Sequence, residues 1–181
     1  MKLGELETHI WRLLTRASAD RHAQWRTPAL CTILQNGSPT ARTVVLRACD
    51  ETDRTLTIHT DKRSSKYAEI CDNGSASLLF YDRKQEEQLR VQATAQFEAD
   101  NVAARQWQSL GEFTQRMYKV EGAPGDAVDQ WDQYSHEGDG VSNFAILTLK
   151  AVSFDWGRLD RDGHKRALLD LENGTATWAV P

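Results

Sequence analysis

Leu3, Leu6, Ile10, Leu13, Leu14 and Ala17 recur at helical spacing, so residues 3–18 are expected to form an amphipathic helix. After a polar joint containing Pro28 the period changes to that of strands. Residues 29–34 read as a β-run that stops at Asn36-Gly37, a hairpin signal. Residues 40–48 (TARTVVLRA) read as one strand, 50–54 as a polar turn and 55–60 as the next strand. Around residues 61–72 the period is helical again. Ser64 is placed to cap a short helix with Tyr67, Ala68, Ile70 and Cys71 on its apolar face, and Asn73-Gly74 ends it.

Residues 76–81 form a further strand. Residues 88–98 alternate cleanly: Leu89, Val91, Ala93, Ala95 and Phe97 face one way, and Gln88, Arg90, Gln92, Thr94, Gln96 and Glu98 face the other. Residues 101–110 and parts of 112–134 are helical in pattern, broken by Gly122-Ala123-Pro124-Gly125, and 135–142 read as a mobile loop. Strands resume over 144–156, 164–171 and 175–180, with turns at 160–163 and Asn173-Gly174. There is no βαβ alternation, which argues against a doubly wound parallel sheet. The expectation is a mainly β fold with α additions, an antiparallel barrel of about six strands with helices packed outside. No repeat or linker marks a second domain, so residues 1–181 read as one domain with a helical insertion at about 100–134.

Composition narrows the function classes. With 22 Lys+Arg against 26 Asp+Glu the net charge is −4, so a chain-wide basic coat for nucleic acid is absent. The three cysteines, Cys31, Cys49 and Cys71, are scattered without metal spacing and read as reduced, mostly buried thiols of a cytoplasmic protein. The first twenty residues lack a signal-peptide stretch, and no apolar run approaches the length of a membrane helix. No metal site, nucleic-acid partner or membrane partner is expected.

The densest anion-binding chemistry is Thr60-Asp61-Lys62-Arg63-Ser64-Ser65-Lys66, where hydroxyls and three cations meet the start of a helix. Free N–H groups and partial positive charge there suit a phosphate, and the same residues also suit a plain capped helix with solvated cations. Arg42 and Arg47 bracket the apolar Thr43-Val44-Val45-Leu46, and period-2 parity sends them to opposite faces unless a bulge intervenes. One of them is available to grip a phosphate bidentately, or both snorkel from the barrel wall.

Taken in order, Arg42-Thr43-Val44-Val45-Leu46-Arg47, Ile58-His59-Thr60, Ser64-Ser65-Lys66, Phe80 and Gln88 resemble the FMN-binding core of the pyridoxamine 5′-phosphate oxidase family. Residues 154–159 followed by His164-Lys165-Arg166 are similar to that family's closing motif. The resemblance implies a split antiparallel β-barrel that forms a homodimer, with FMN in clefts at the subunit interface. It implies that Arg42, Ser65 and Lys66 hold the FMN phosphate. Thr43, Val44, Val45, Leu46 and Arg47 would run beside the flavin, His59 and Thr60 would line the cleft, and Gln88 would hydrogen-bond the ring. Trp156 and Arg166 would reach in from the other subunit. Packing in the core is the other reading of Trp156.

The likeness departs from the oxidase where its substrate phosphate is held. A Tyr…Arg…Ser series is missing from residues 107–113, and Asp162 stands where the oxidase has an arginine two residues before His164. The resemblance therefore implies a flavin-dependent oxidoreductase of a small-molecule substrate other than pyridoxamine 5′-phosphate. A true pyridoxamine/pyridoxine 5′-phosphate oxidase and a non-catalytic FMN-carrying dimer are the alternatives. His164 is the candidate catalytic residue, as proton donor or substrate contact, or else a turn residue facing solvent. Another flavin or a deazaflavin in place of FMN stays open, whereas haem finds no marked axial position among the five histidines.

Overall fold

A computed structural model describes residues 2–181. Helix α1 (Leu3–Ala19) and a single 3-10 turn (Gln24–Arg26) lead into β1 (Ala29–Ile33), β2 (Pro39–Thr43), β3 (Leu46–Asp50) and β4 (Thr55–Asp61). Helix α2 (Ser65–Asp72), β5 (Ser75–Asp82) and β6 (Glu87–Phe97) follow. Then come α3 (Asp100–Gln108), α4 (Glu112–Tyr118), the short α5 (Gly140–Asn143), β7 (Phe144–Arg158), β8 (Lys165–Asp170) and β9 (Thr175–Ala179).

All strand pairs are antiparallel, in the order β2-β1-β5-β6-β7-β4-β3, with β8 pairing β7 and β9 pairing β8. The mainly β antiparallel fold is as expected, with nine strands in place of about six: seven make the curved path, and the β8–β9 hairpin extends from β7. The sheet is not fully closed. Its two edges, β2 and β3, are joined through Val44 and Val45. Residues 40–48 are therefore two strands on opposite edges, where the pattern suggested one. The physical reason is curvature. Val44 and Leu46 are both buried, and the Val44 N–H donates to the Pro28 carbonyl (3.0 Å) as the last rung beside β1 before the chain crosses the seam to pair with β4.

β6 keeps the alternation seen in the sequence: Leu89, Val91, Ala93 and Ala95 are buried while Gln88, Arg90, Gln92, Thr94 and Gln96 are exposed. Helix α1 covers the core with Leu6, Ile10, Trp11, Leu14 and Ala17, all buried. Each such large side chain contributes about 1.5–3 kcal/mol through burial. Trp11 meets Phe154 edge-on at 5.3 Å, and Arg26 caps the end of α1 by donating to the Ala17 (3.1 Å) and Ser18 carbonyls.

Helix α2 differs from its expected face. Glu69 and Ile70 are buried, Tyr67 is half-buried, and Ala68 and Cys71 are exposed. Cys31 and Cys49 are half-buried, so the thiols are less enclosed than composition suggested. Between residues 111 and 139 the only helix is α4, which ends at Tyr118, and residues 119–139 are turns and irregular chain before the short α5. No helix of the described residues is long and apolar enough to cross a membrane.

Candidate functional site

The structure gathers Arg42, Ser65 and Lys66 where β1, β2 and α2 meet. Arg42 is half-buried on β2, and Arg47 is exposed on β3 at a register shift between Leu46 and Ala48, so an irregularity of the kind that parity alone does not foresee lies at Arg47. Arg42 is not free. Its Nη2 donates to Glu69 Oε2 (2.7 Å), its Nη1 donates to Thr32 Oγ1, and the Thr32 hydroxyl donates to the same Glu69 oxygen (2.5 Å). Burial pushes the Glu69 carboxyl up, but these donors outweigh it and hold the group below its ordinary value. Burial lowers the Lys66 ammonium pKa and nearby Arg42 lowers it further, against the opposing pull of Asp61 and Glu69. Lys66 thus lies within electrostatic reach of both Arg42 and its carboxylate partner Glu69.

The rest of the Thr60–Lys66 cluster sorts itself by partner. Lys62 pairs with Asp100 (2.6 Å). Arg63 grips Asp61 through Nε (3.0 Å) and Nη2 (2.8 Å) and donates to the Val120 carbonyl (2.8 Å), which ties down the chain after α4. Of the three cations, Lys66 alone has no salt bridge among the described residues. Ser64 occupies the N-cap position as expected, yet its hydroxyl donates back to the Asp61 carbonyl (2.6 Å) and caps nothing. The first turn of α2 therefore has no side-chain cap.

His59 and Thr60 adjoin this cradle. Thr60 is buried, with its hydroxyl 3.5 Å from Ser64 Oγ. The His59 ring meets Phe144 edge-on at 5.0 Å, and its buried Nδ1 has no hydrogen-bond partner among the described residues. Burial, with the Arg47 charge second, pulls its pKa from 6.5 to about 4. Tyr118 of α4 stands edge-on to the same Phe144 (5.1 Å), its phenol pushed up to about 12 chiefly by burial. Between Arg42 and Arg47, the Val44 and Leu46 side chains belong to the core, leaving Thr43, Val45 and Arg47 to face outward.

Gln88, His164 and Arg166 gather elsewhere. Gln88 lies between Tyr81 of β5 and Gly157 of β7. A cavity of about 540 Å³ there is lined by Gln88, Arg90, Asp155, Arg158, His164 and Arg166, among others. Arg166 grips Asp155 with Nε (3.0 Å) and Nη2 (2.8 Å), and Arg90 donates to the same carboxylate. His164 is exposed, and its Nδ1 accepts the Asp160 N–H at 3.4 Å.

Trp156 does not join them. The strand alternation that turns Asp155 outward turns Trp156 inward, where it is 1% exposed and donates its indole N–H to Glu87 Oε1 (2.5 Å). The core reading of Trp156 is the one the structure supports, and Asp155 takes the outward place. Asp155, Glu69 and Thr32 were missed in the sequence. The available signal for Glu69 was a carboxylate one residue before Ile70 on a helix with few apolar positions.

The two sets lie far apart within one chain. Tyr67, next to Lys66, stacks on Phe97 at 4.2 Å. Phe97 and Gln88 are nine residues apart on β6, about 30 Å at the rise of an extended strand.

The family model for the pyridoxamine 5′-phosphate oxidase FMN-binding domain matches residues 8–99, which is 92 of the 181 residues. The chain belongs to this family. FMN is its cofactor, and the cradle has the donor set that a phosphate dianion requires. Pyridoxine/pyridoxamine 5′-phosphate oxidases of Burkholderia mallei (strain SAVP1) and Burkholderia pseudomallei (strain K96243) are each 35% identical over 82 residues, covering 43% of this chain and 37% of the relative. The match thus spans little more than a third of those relatives. Among solved structures, an FMN-binding, pyridoxamine 5′-phosphate oxidase-related protein of Nostoc punctiforme PCC 73102 aligns over 100% of both chains, with a TM-score of 0.80 and 23% identity. PhzG of Burkholderia lata 383, solved with tetrahydrophenazine-1-carboxylic acid, aligns over 96% of this chain and 91% of its own, with a TM-score of 0.78 and 19% identity. At those identities the family member shares their fold.

Proposed function

We propose that this family member is an FMN-dependent oxidoreductase of a small molecule, working in the cytoplasm as a homodimer whose two cofactors each lie between the chains. The observation that carries the reading is the separation of the two sets. Lys66 adjoins the Phe97 end of β6 and Gln88 lies at the other end, so a single chain offers two half-sites. A second copy brings its Gln88 and Arg166 to the cradle of the first.

In each composite site the phosphate rests on Lys66, Ser65, the first turn of α2 and the outer edge of Arg42, while Glu69 holds Arg42 in place. Thr43, Val45 and Arg47 flank the flavin with backbone and side chain, and His59 and Thr60 close the wall behind. Bound FMN supplies two-electron redox chemistry at its ring. The His59 imidazole, kept neutral by burial, adds no charge near the cofactor. His164, exposed beside Arg166 in the larger cavity, is placed to contact substrate or pass a proton.

The substrate differs from pyridoxamine 5′-phosphate. Asp162 is exposed in the turn before His164, and a carboxylate there repels a phosphate monoester. Losing a cationic partner and gaining repulsion together predict kcat/KM at least about a thousandfold below that of a competent oxidase.

Mixed dimers test the shared site. Lys66→Ala and Arg166→Ala chains each weaken FMN binding alone, and a dimer containing one of each keeps one intact site. Recovery of one tight FMN site per mixed dimer is expected. Failure to recover, or FMN-loaded protein sedimenting as a monomer at micromolar concentration, overturns the reading. Aerobic turnover of pyridoxamine 5′-phosphate near ~1 s⁻¹ overturns the substrate assignment.

A further inference from the structure

Beneath α3 and α4 lies a second, smaller core. Ala103, Phe144 and Ile146 form it, with Trp107, Leu110 and Tyr118 packed against them. It covers the face of β4 and β7 turned away from the main core. Phe144 and Ile146 stand opposite Asp61 and His59, whereas Leu147 and Leu149 stand opposite Ile58 and Leu56 inside. His59 and Tyr118 therefore share one surface, each edge-on to the Phe144 ring.

Tyr118 is fixed there through its backbone. Its carbonyl accepts from Asn143 Nδ2 (2.9 Å) and from Arg63 Nη2 (3.5 Å), which ties the end of α4 to the loop that enters α2. The phenol oxygen makes no hydrogen bond among the described residues, and it is not enclosed as His59 Nδ1 is. Burial of the side chain pushes its pKa up to about 12 against the opposing Arg47 charge, so at neutral pH the hydroxyl is a donor.

Arg47 joins the same surface from β3. Between the pairs Leu46–Ile58 and Ala48–Thr57, β3 carries one residue more than β4, and a bulge of this kind re-aims a side chain. Arg47 is exposed and forms no ion pair among the described residues. Its charge reaches both His59 and Tyr118. Asp61, the carboxylate that also acts on Tyr118, is gripped by Arg63. Arg26, which feels Arg47 too, is held by the carbonyls of Ala17 and Ser18. What faces the cleft is an unpaired guanidinium, an idle phenol and an imidazole that burial keeps neutral.

We propose that Arg47 and Tyr118 together bind the carboxylate of the substrate, a small monocarboxylate held over the flavin. The inference rests on the reading above, in which Arg47 flanks FMN. Oxidised FMN carries its charge on the phosphate, which the Lys66 end takes, and its ring is neutral, so the Arg47 charge is left for the substrate. One free cation balances a monoanion, whereas a phosphate dianion requires more. The guanidinium offers paired N–H donors to the two carboxylate oxygens and the phenol adds a third.

Benzoate titrated into FMN-loaded protein at constant ionic strength tests this, with flavin absorbance as the readout. Benzamide, of the same shape without the charge, and inorganic phosphate are the controls. A saturable flavin difference spectrum is expected with benzoate, with benzamide and phosphate each about tenfold weaker or more. Tyr118→Phe keeps the ring against Phe144 and removes only the hydroxyl. It should weaken benzoate about tenfold or more and change FMN affinity less than about twofold. Arg47→Gln should weaken benzoate at least as much. The proposal is overturned if benzoate gives no saturable response, if benzamide or phosphate binds as tightly, or if either variant leaves benzoate affinity unchanged. It is also overturned if Tyr118→Phe weakens FMN as much as benzoate, which would give the phenol to the cofactor. Each outcome is read on protein that holds FMN, so the carboxylate site can fail while the shared cofactor site stands; failure of the latter shows in the mixed dimers.

Discussion

Replacing Glu69 by alanine separates the stability of the cradle from its affinity for the cofactor. Glu69 is 6% exposed and accepts from Arg42, itself 21% exposed, and from Thr32. Its removal leaves the Arg42 guanidinium beside Lys66 with no counter-charge. Breaking a buried pair costs about 3–5 kcal/mol, and the partial exposure of Arg42 brings the expected loss to about 2–3 kcal/mol in the cofactor-free protein. A phosphate dianion supplies the missing negative charge, so FMN should return part of the loss. If FMN returns about half, its binding to Glu69→Ala tightens about tenfold, since each 1.4 kcal/mol is a factor of ten. Riboflavin, which lacks the phosphate, should gain nothing. Urea unfolding of the cofactor-free protein measures the first quantity, and quenching of flavin fluorescence on titration measures the second. If Glu69→Ala weakens FMN and riboflavin alike, Glu69 serves only to shape the site and the electrostatic argument is wrong.

Three further outcomes are expected. Lys66→Ala removes one charge-assisted contact and should weaken FMN by roughly 10- to 150-fold while leaving riboflavin binding nearly unchanged. His59 has its folded pKa lowered from 6.5 to about 4, so its contribution to stability is present above pH 6.5 and lost as pH falls toward 4. After allowance for solvent access this amounts to about 1–2 kcal/mol, visible as a drop in urea midpoint between pH 7 and pH 4.5 that His59→Leu abolishes. Trp156→Phe breaks the hydrogen bond to buried Glu87 and should cost about 1.5–3 kcal/mol of stability, with FMN affinity changed less than about twofold; a large loss of FMN affinity at unchanged stability would return Trp156 to the cofactor.

Much of this protein was legible along the chain because the evidence was local. Helical spacing from Leu3 to Ala17 marked α1, alternation from Gln88 to Glu98 marked β6, and both follow from the periods of regular backbone. The helix start at the proposed phosphate cradle was legible for the same reason, as Ser64, Ser65 and Lys66 are consecutive there. What lies across the sheet was not legible. The run 40–48 is uniform in strand propensity, and only the curvature of the sheet breaks it at Val44 and sends its halves to opposite edges. Glu69 reads as a solvated helix residue until β1 and β2 bring Thr32 and Arg42 to it, 37 and 27 positions away along the chain. Trp156 and Asp155 are neighbours in sequence, but which of them faces the core depends on the register of β7 between β6 and β8, and a shift of one residue would exchange them. The periods of the backbone are written in the sequence, whereas side-chain partners distant along the chain are chosen by strand register and sheet curvature, which exist only once the strands have paired.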